Sequence, residues 1–122
     1  MRKILRLLLV FILFGCMQKQ EALNGEYKMS GLDDDAEVTI VFNGTEFSGS
    51  SGVNRYFGSF EQSDNKIKFN VAGSTMMMGP RHLMQIEQDY LKNLQEVEEC
   101  YTTDDTLVLK NSKGLELKFN KL

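Results

Sequence analysis

Few side chains in this chain of 122 residues could carry catalytic chemistry. Its single histidine, His82, would have to serve as the base for any serine or cysteine nucleophile. The thiol that could partner it, Cys100, has these acidic neighbours in sequence: Glu98, Glu99, Asp104 and Asp105. Nearby negative charge raises the pKa of a thiol and disfavours the reactive thiolate. We therefore predict that the chain is not an enzyme, and an enzyme using His82 or Cys100 is the least favoured alternative.

The sequence also lacks the usual patterns of metal and phosphate sites. No cluster of cysteine and histidine has zinc-site spacing. Residues 49–52 lack the lysine and the following helix of a phosphate-binding loop. The acidic run at residues 33–35 lacks the spaced ligands and the glycine of an EF-hand, so a solvated turn explains it better. We expect no metal site and no cofactor.

The second cysteine, Cys16, follows a basic segment and an apolar run over residues 7–14. That run is shorter than the roughly 20 apolar residues that cross a bilayer, and Gly15 is small enough for a cleavage site. Residues 13–16, Leu-Phe-Gly-Cys, resemble the lipobox of bacterial lipoproteins, whose cysteine is acylated and becomes the new N-terminus. The resemblance implies a signal peptide over residues 1–15 and lipid, such as palmitate, on Cys16. An uncleaved anchor or a buried strand is the alternative.

Charge and lipid together predict where the protein works. The signal peptide holds three of the 14 basic residues and none of the 17 acidic ones, so the remainder carries a formal net charge of −6. Such a domain is unsuited to nucleic acid or to anionic lipid, and acyl chains must provide the membrane anchor. Residue 17 is not the aspartate that commonly retains lipoproteins in the inner membrane. We expect a lipid-anchored protein of the bacterial cell envelope, in the outer membrane of a Gram-negative species.

Beyond a short tether, residues 16–23, the sequence predicts one domain over residues 24–122. Alternating apolar residues and regular turn signals predict eight strands, at 25–30, 37–42, 45–48, 55–62, 66–71, 98–103, 106–110 and 115–119. Asn43 and Gly44 form the strongest hairpin signal. Residues 49–52 (GSSG) suggest a flexible connection.

One helix is predicted between the fifth and sixth strands. Its apolar stripe, spaced by three and four residues, consists of Leu83, Ile86, Tyr90, Leu94 and Val97. The only proline, Pro80, lies where this helix could begin. Strands, one helix and then strands indicate an α+β fold.

Three motifs follow one another in the predicted domain: Gly52-Val53-Asn54-Arg55 with Gly58, then Ser74-Thr75-Met76-Met77, then the segment from Glu87 to Leu94. In order and spacing they resemble the META domain, the family of the HslJ-like lipoproteins, over residues 24–122. The resemblance implies a curled antiparallel sheet, open and barrel-like, with one packed helix. It implies no settled catalytic activity. Relatives are associated with stress or antibiotic tolerance in some bacteria and with secretion or motility in some protozoa.

Departures from the family pattern concern two cysteines and a tryptophan. Val53 and Gly79 stand where many relatives have cysteine, which fits a structural or redox pair lost as a unit. Cysteine-based activity therefore does not carry over. Tyr27 takes the place of a tryptophan in the first strand.

Four residues of these motifs are candidates for a structural role: Asn54, Arg55, Thr75 and Glu87. Glu87 borders the apolar stripe of the helix, and a partly buried carboxylate needs a charged or hydrogen-bonding partner. We expect Asn54 to satisfy backbone groups and Arg55 to pair with a carboxylate such as Glu87. A ligand site is the less favoured interpretation.

Met76, Met77 and Met78 are the most unusual local run. Methionine fills irregular cores and also lines promiscuous binding surfaces. Core filling is favoured over a partner surface, although three in a row cannot all face inward from one strand.

The leading hypothesis is a non-enzymatic envelope lipoprotein whose domain binds another envelope protein or an apolar ligand at the membrane. A purely structural, stress-protective module is the second hypothesis.

Overall fold

A computed structural model describes residues 20–122 of the protein. The signal peptide predicted for residues 1–15, the lipidation of Cys16 and the first part of the tether lie outside the described residues. The rest of the tether is not free, because Leu23 is buried and contributes to the core.

The described residues form eight strands and one helix, α1, at Arg81–Gln95. The strands are β1 Gly25–Met29, β2 Thr39–Asn43, β3 Glu46–Ser50, β4 Arg55–Ser63, β5 Lys66–Ser74, β6 Glu99–Thr103, β7 Thr106–Lys110 and β8 Glu116–Lys121. Every predicted strand is present, within a few residues of its expected bounds.

The strands pair in chain order, and β8 returns to β1, so the sheet closes into a barrel. All the pairs are antiparallel, and β4 and β5 form the longest hairpin. The weakest junction is between β5 and β6, which share the single pair Lys66 and Glu99. Helix α1 connects these two strands and packs against β5. The α+β prediction is confirmed, with one domain, a curled antiparallel sheet and a packed helix, and the sheet closes where an open barrel-like sheet was expected.

The barrel interior is filled by the inward members of each alternating pattern. The largest fully buried side chains include Leu94 of α1 and, from the sheet, Tyr56, Phe69, Phe119, Ile40, Leu107, Leu109 and Val38. Neighbouring rings meet at angles, such as Phe47 and Phe69, whose centroids are 5.3 Å apart and nearly perpendicular. Burial of large apolar side chains contributes about 1.5–3 kcal/mol each, so this interior holds the strands together.

Helix α1 packs its predicted apolar stripe against the barrel. Tyr90 and Leu94 are buried, Leu83 and Ile86 are half-buried, and Val97 lies beyond the end of the helix. The ring of Tyr90 packs edge-on against Tyr56 of β4, with centroids 5.4 Å apart. No helix within residues 20–122 is long and apolar enough to span a membrane.

The expectation of a flexible connection at residues 49–52 is wrong. Gly49 lies inside β3, where a Cβ atom would meet the Thr39 carbonyl oxygen at 2.1 Å. Ser51 is fully buried, and Gly52 takes φ +128°, a conformation that side chains disfavour. Glycine is required here for close packing of the backbone, not for mobility.

Candidate functional site

A buried polar cluster joins three segments at one end of the barrel: the β3–β4 connection, the chain after β5, and the middle of α1. Its centre is the carboxylate of Glu87, which is 5% exposed. The backbone of Gly52 passes close to the helix, since a Cβ atom there would lie 3.1 Å from the Leu83 carbonyl oxygen. This close approach brings the β3–β4 connection within hydrogen-bond distance of Glu87.

The Glu87 carboxylate accepts hydrogen bonds through both oxygens. Its Oε1 accepts from the backbone N–H groups of Asn54 at 2.6 Å and Val53 at 3.1 Å. The Ser51 hydroxyl lies 2.7 Å from the same oxygen. The Oε2 atom accepts from the side-chain amide of Asn54 at 2.7 Å.

Asn54 extends this cluster to the segment after β5. Its Nδ2 also donates to the carbonyl of Met77 at 3.1 Å, and its Oδ1 accepts from the Met77 N–H at 2.6 Å. The hydroxyl of Thr75 donates to the same Oδ1 at 2.9 Å and accepts from the Arg55 N–H at 3.1 Å. One asparagine thus connects the helix carboxylate to the backbone on which the methionine run lies.

The charge of Glu87 is stabilised by these hydrogen bonds. Burial opposes ionisation, but the side-chain and backbone groups of Asn54, with Ser51 and Val53, outweigh it and hold the pKa of Glu87 below its ordinary value. Within residues 20–122 no basic side chain forms an ion pair with Glu87. This arrangement favours a structural role for Glu87, because both of its carboxylate oxygens already accept hydrogen bonds from the protein.

The expected ion pair between Arg55 and Glu87 is therefore wrong. Arg55 begins β4 with its side chain exposed, whereas Asn54 and Tyr56 on either side of it are buried. Successive side chains of an extended segment point to opposite faces, so Arg55 faces solvent while Asn54 reaches the carboxylate. Asn54, Thr75 and Glu87 lie in one network, and Arg55 contributes its backbone only.

The three methionines project into solvent. Met76 is 89% exposed, Met77 is 63% exposed and Met78 is 87% exposed. Core filling is thus the wrong interpretation. The irregular segment after β5 lies outside the barrel, with its backbone held at Met77 by Asn54.

Val53 and Gly79, the two positions at which the family resemblance implies cysteine, face each other. A Cβ atom placed on Gly79 would lie 2.7 Å from Val53 Cγ2 and 3.4 Å from Val53 Cβ. Cysteines joined in a disulfide have their Cβ atoms about 3.5–4.5 Å apart. In this chain an apolar contact between Val53 and Gly79 occupies that position.

His82 and Cys100 have separate surroundings. The imidazole of His82 is exposed at the start of α1, and its Nε2 lies 2.5 Å from Asp35 Oδ2. Cys100 is fully buried in β6, where burial and the charge of Asp64 raise the pKa of its thiol to about 11. The thiol is thus not prepared to act as a nucleophile. No group of three or more metal-binding side chains occurs within the described part of the chain.

A second buried polar contact was not predicted from the sequence. Tyr90 of α1 and Tyr56 of β4 share a hydrogen bond between hydroxyls, and Tyr56 donates to the Thr39 carbonyl at 2.7 Å. Because Tyr56 has one hydroxyl proton, Tyr90 is the donor of the shared bond. Burial raises the pKa of both phenols, so both stay neutral. The apolar stripe of α1 predicts that Tyr90 is buried, but no local sequence signal pairs it with Tyr56.

A groove of about 630 Å³ opens where β5 and β6 separate. Ile67 and Val97 are its buried apolar residues. Side chains of positive and negative charge also line it, including Lys66, Lys68 and Glu98. Its mixed polarity does not single out one ligand class.

Comparisons with known proteins agree with this architecture. The sequence model described as META domain matches residues 19–122. A protein from Burkholderia xenovorans, solved by NMR, is similar with TM-score 0.68 and 23% identity, covering 81% of this chain and 82% of that one. A DUF4847 family protein from Bacteroides vulgatus ATCC 8482 is similar with TM-score 0.56 and 15% identity, covering 68% of this chain and 57% of that one. None of the curated proteins matches this chain.

Proposed function

Because the chain belongs to the META domain family, a family of unknown activity, we propose its function from its own site: it is a lipid-anchored, non-enzymatic binding protein of the bacterial cell envelope. The outer membrane of a Gram-negative species is the proposed location. The partner is an apolar segment of another envelope protein, bound at the methionine run Met76–Met78.

Exposure of the methionine run is the observation that carries this proposal. Apolar surface in water costs about 25 cal/mol per Å² relative to burial. Covering three consecutive exposed methionines with a partner would therefore contribute favourably to the free energy of binding. Methionine is unbranched and polarizable, and it adapts to partners of different shape. Contiguous apolar patches on a protein surface often mark interaction sites.

The backbone under this run is held in place before any partner binds. Asn54 contacts both the N–H and the carbonyl of Met77, and Glu87 orients Asn54. A preorganised segment loses less conformational entropy on binding than a free loop. This favours a binding role for the run and a supporting role for the buried network.

The anchor is proposed from the lipobox-like residues 13–16 and the acylatable Cys16. Two or more acyl chains hold a protein firmly at a membrane. Confinement there raises the effective concentration of neighbouring proteins, so a weak contact at the methionine run suffices.

The test is crosslinking in the native envelope. A photoactivatable residue replaces Met76 or Met78 in the full-length chain, and the matched control carries it at Lys118, an exposed position of β8. We expect a discrete crosslinked protein from positions 76 and 78 and not from 118. Mass spectrometry of the purified chain establishes whether Cys16 is the acylated N-terminus.

Two results would contradict the proposal. An identical set of crosslinks at all three positions would favour a structural, stress-protective module without a defined partner. An unchanged set in Cys16→Ala would show that the membrane anchor is irrelevant to binding.

A further inference from the structure

The segment that follows the proposed lipidation site is clamped onto the barrel. Gln20 donates from its backbone to Asp64 Oδ1 at 2.6 Å. Its side chain bonds Thr102 twice, accepting from the Thr102 N–H at 2.8 Å and donating to the Thr102 hydroxyl at 2.7 Å. Gln20 thereby bridges the β4–β5 turn and the edge of β6.

Two further contacts extend this clamp. Leu23 is buried, and its N–H donates to Gln62 Oε1 at 3.0 Å. Gln62 in turn donates from Nε2 to the carbonyl of Glu21 at 2.9 Å. Residues 20–23 are thus part of the domain, and little chain is left between it and Cys16.

The length of that remaining chain limits how far the clamp can be from lipid. Four residue steps separate Cys16 from Gln20, and a fully extended chain covers at most about 14 Å over four steps. An acyl anchor at Cys16 must therefore keep the β4–β5 turn close to the bilayer surface.

The methionine run lies at the other end of the same hairpin. Strands β4 and β5 pair from Ser63 and Lys66 beside the turn to Tyr56 and Ser74 at the far end. The seven steps of β4 and the eight steps of the bulged β5, at about 3.3 Å each, give about 23–26 Å, or about 18–20 Å along the barrel axis for tilted strands. Met76–Met78 follows directly after that far end.

We propose that the barrel stands on the lipid surface on its β4–β5 turn and presents Met76–Met78 to the aqueous compartment. The inference rests on the proposed lipid anchor and deepens it: the methionine run meets a protein in the aqueous phase and does not enter the bilayer.

Charge at the standing end indicates that the clamp, not electrostatics, sets this orientation. Asp64 lies in the β4–β5 turn beside Lys66, and Asp104 and Asp105 form the β6–β7 turn beside Lys121, so acidic residues outnumber basic ones at these turns. These carboxylates do not attract anionic lipid. The same orientation is therefore expected on zwitterionic and on anionic vesicles.

The experiment measures how close each end is to lipid. The lipidated chain is placed on phosphatidylcholine vesicles that contain headgroup-nitroxide lipid, with a fluorophore on Ser63→Cys or on Met78→Cys. Cys16 is blocked by its acyl chain and Cys100 is fully buried, so labelling is selective. We expect severalfold stronger quenching at position 63 than at position 78.

A lengthened tether is the matched control. A Gly/Ser linker of about 12 residues inserted before Gln20 has an r.m.s. span of about 19 Å, and it should remove most of the difference between the two positions. Equal quenching with the native tether, or stronger quenching at position 78, would overturn the proposed orientation.

Whether Cys16 carries the lipid anchor is measured separately. If mass spectrometry finds no acyl group on the native chain, the proposed function fails. A maleimide phospholipid coupled to Cys16 then supplies the anchor, the fluorophore at position 63 or 78 is carried by an unnatural amino acid instead of a second cysteine, and the quenching comparison still decides the orientation.

Discussion

Helix α1 is joined to the barrel by two contacts that each involve a carboxylate, one buried and one exposed to solvent. Glu87 is buried and receives hydrogen bonds from the β3–β4 connection. His82, one and a half turns earlier, meets Asp35 of the β1–β2 connection with both side chains more than half exposed. Both contacts join the same helix to the barrel, but water can replace only the second.

Burial, more than the number of charges, decides how much a polar contact contributes to the stability of the fold. Removing Glu87 would leave the backbone N–H groups of Val53 and Asn54, and one side-chain N–H of Asn54, without an acceptor in a place that water reaches poorly. Removing His82 would leave Asp35 free to be hydrated.

The largest effect is expected for Glu87→Ala. Unsatisfied buried donors cost about 1–3 kcal/mol each, so we expect the free energy of unfolding to fall by about 3 kcal/mol or more in urea denaturation. Glu87→Gln keeps the size of the side chain but turns an amide N–H toward donors, and should lose about 2 kcal/mol.

The matched control for Glu87 is Asp89→Ala, which removes an exposed carboxylate from the same helix. It should change the free energy of unfolding by no more than about 0.5 kcal/mol. If Glu87→Ala were as stable as Asp89→Ala, the network would not stabilise the fold.

A pH series sharpens the same contrast. The pKa of Glu87 is lower in the folded protein than its unfolded value of about 4.3. Its ionisation therefore stabilises the fold above that unfolded value, and the contribution is lost as the pH falls through the folded pKa.

We expect the stability difference between the parent and Glu87→Gln to be constant near neutral pH and to shrink below about pH 4. The pKa of Glu98 is also lowered, by hydrogen bonds from Ser112, but Glu98 is present in both proteins and cancels. A difference that grows as the pH falls would contradict the assigned direction of the shift.

The strands and the helix could be predicted because their signals are local. The alternation around Val38, Ile40 and Phe42 follows from strand geometry, and all three are buried. The stripe of α1 follows from the helical repeat, and Asn43-Gly44 gives the turn between β2 and β3. The pairing of β1 with β8 has no local signal. The family resemblance implies a curled, barrel-like sheet but does not specify that these two strands close it.

The site could be predicted only in part, because it depends on which of two neighbours faces inward. Asn54 and Arg55 are adjacent, and charge alone favoured Arg55 as the partner of Glu87. The tight passage of Gly52 over α1 instead turns Asn54 toward the carboxylate. The exposure of Met76–Met78 could not be predicted either, because methionine occurs both in cores and on binding surfaces.

An intermediate effect is expected for Tyr90→Phe. Tyr90 also joins α1 to the barrel from a buried position, but its contact with Tyr56 is uncharged. Loss of one neutral hydrogen bond costs about 1 kcal/mol. Tyr56→Phe should cost more, because it leaves both the Thr39 carbonyl and the Tyr90 hydroxyl without this partner. Urea denaturation of the two variants tests the order, and the reverse order would contradict the assigned donors.

The smallest effect is expected for His82→Ala. Exposed contacts between polar or charged side chains contribute about 0–1 kcal/mol, because water already solvates the separate groups. We expect the free energy of unfolding to change by no more than about 0.5 kcal/mol, and a double-mutant cycle with Asp35→Ala should give a coupling energy of similar size. A loss comparable to that of Glu87→Ala would mean that α1 depends on its exposed contact as much as on its buried one, and burial would then not be what separates them.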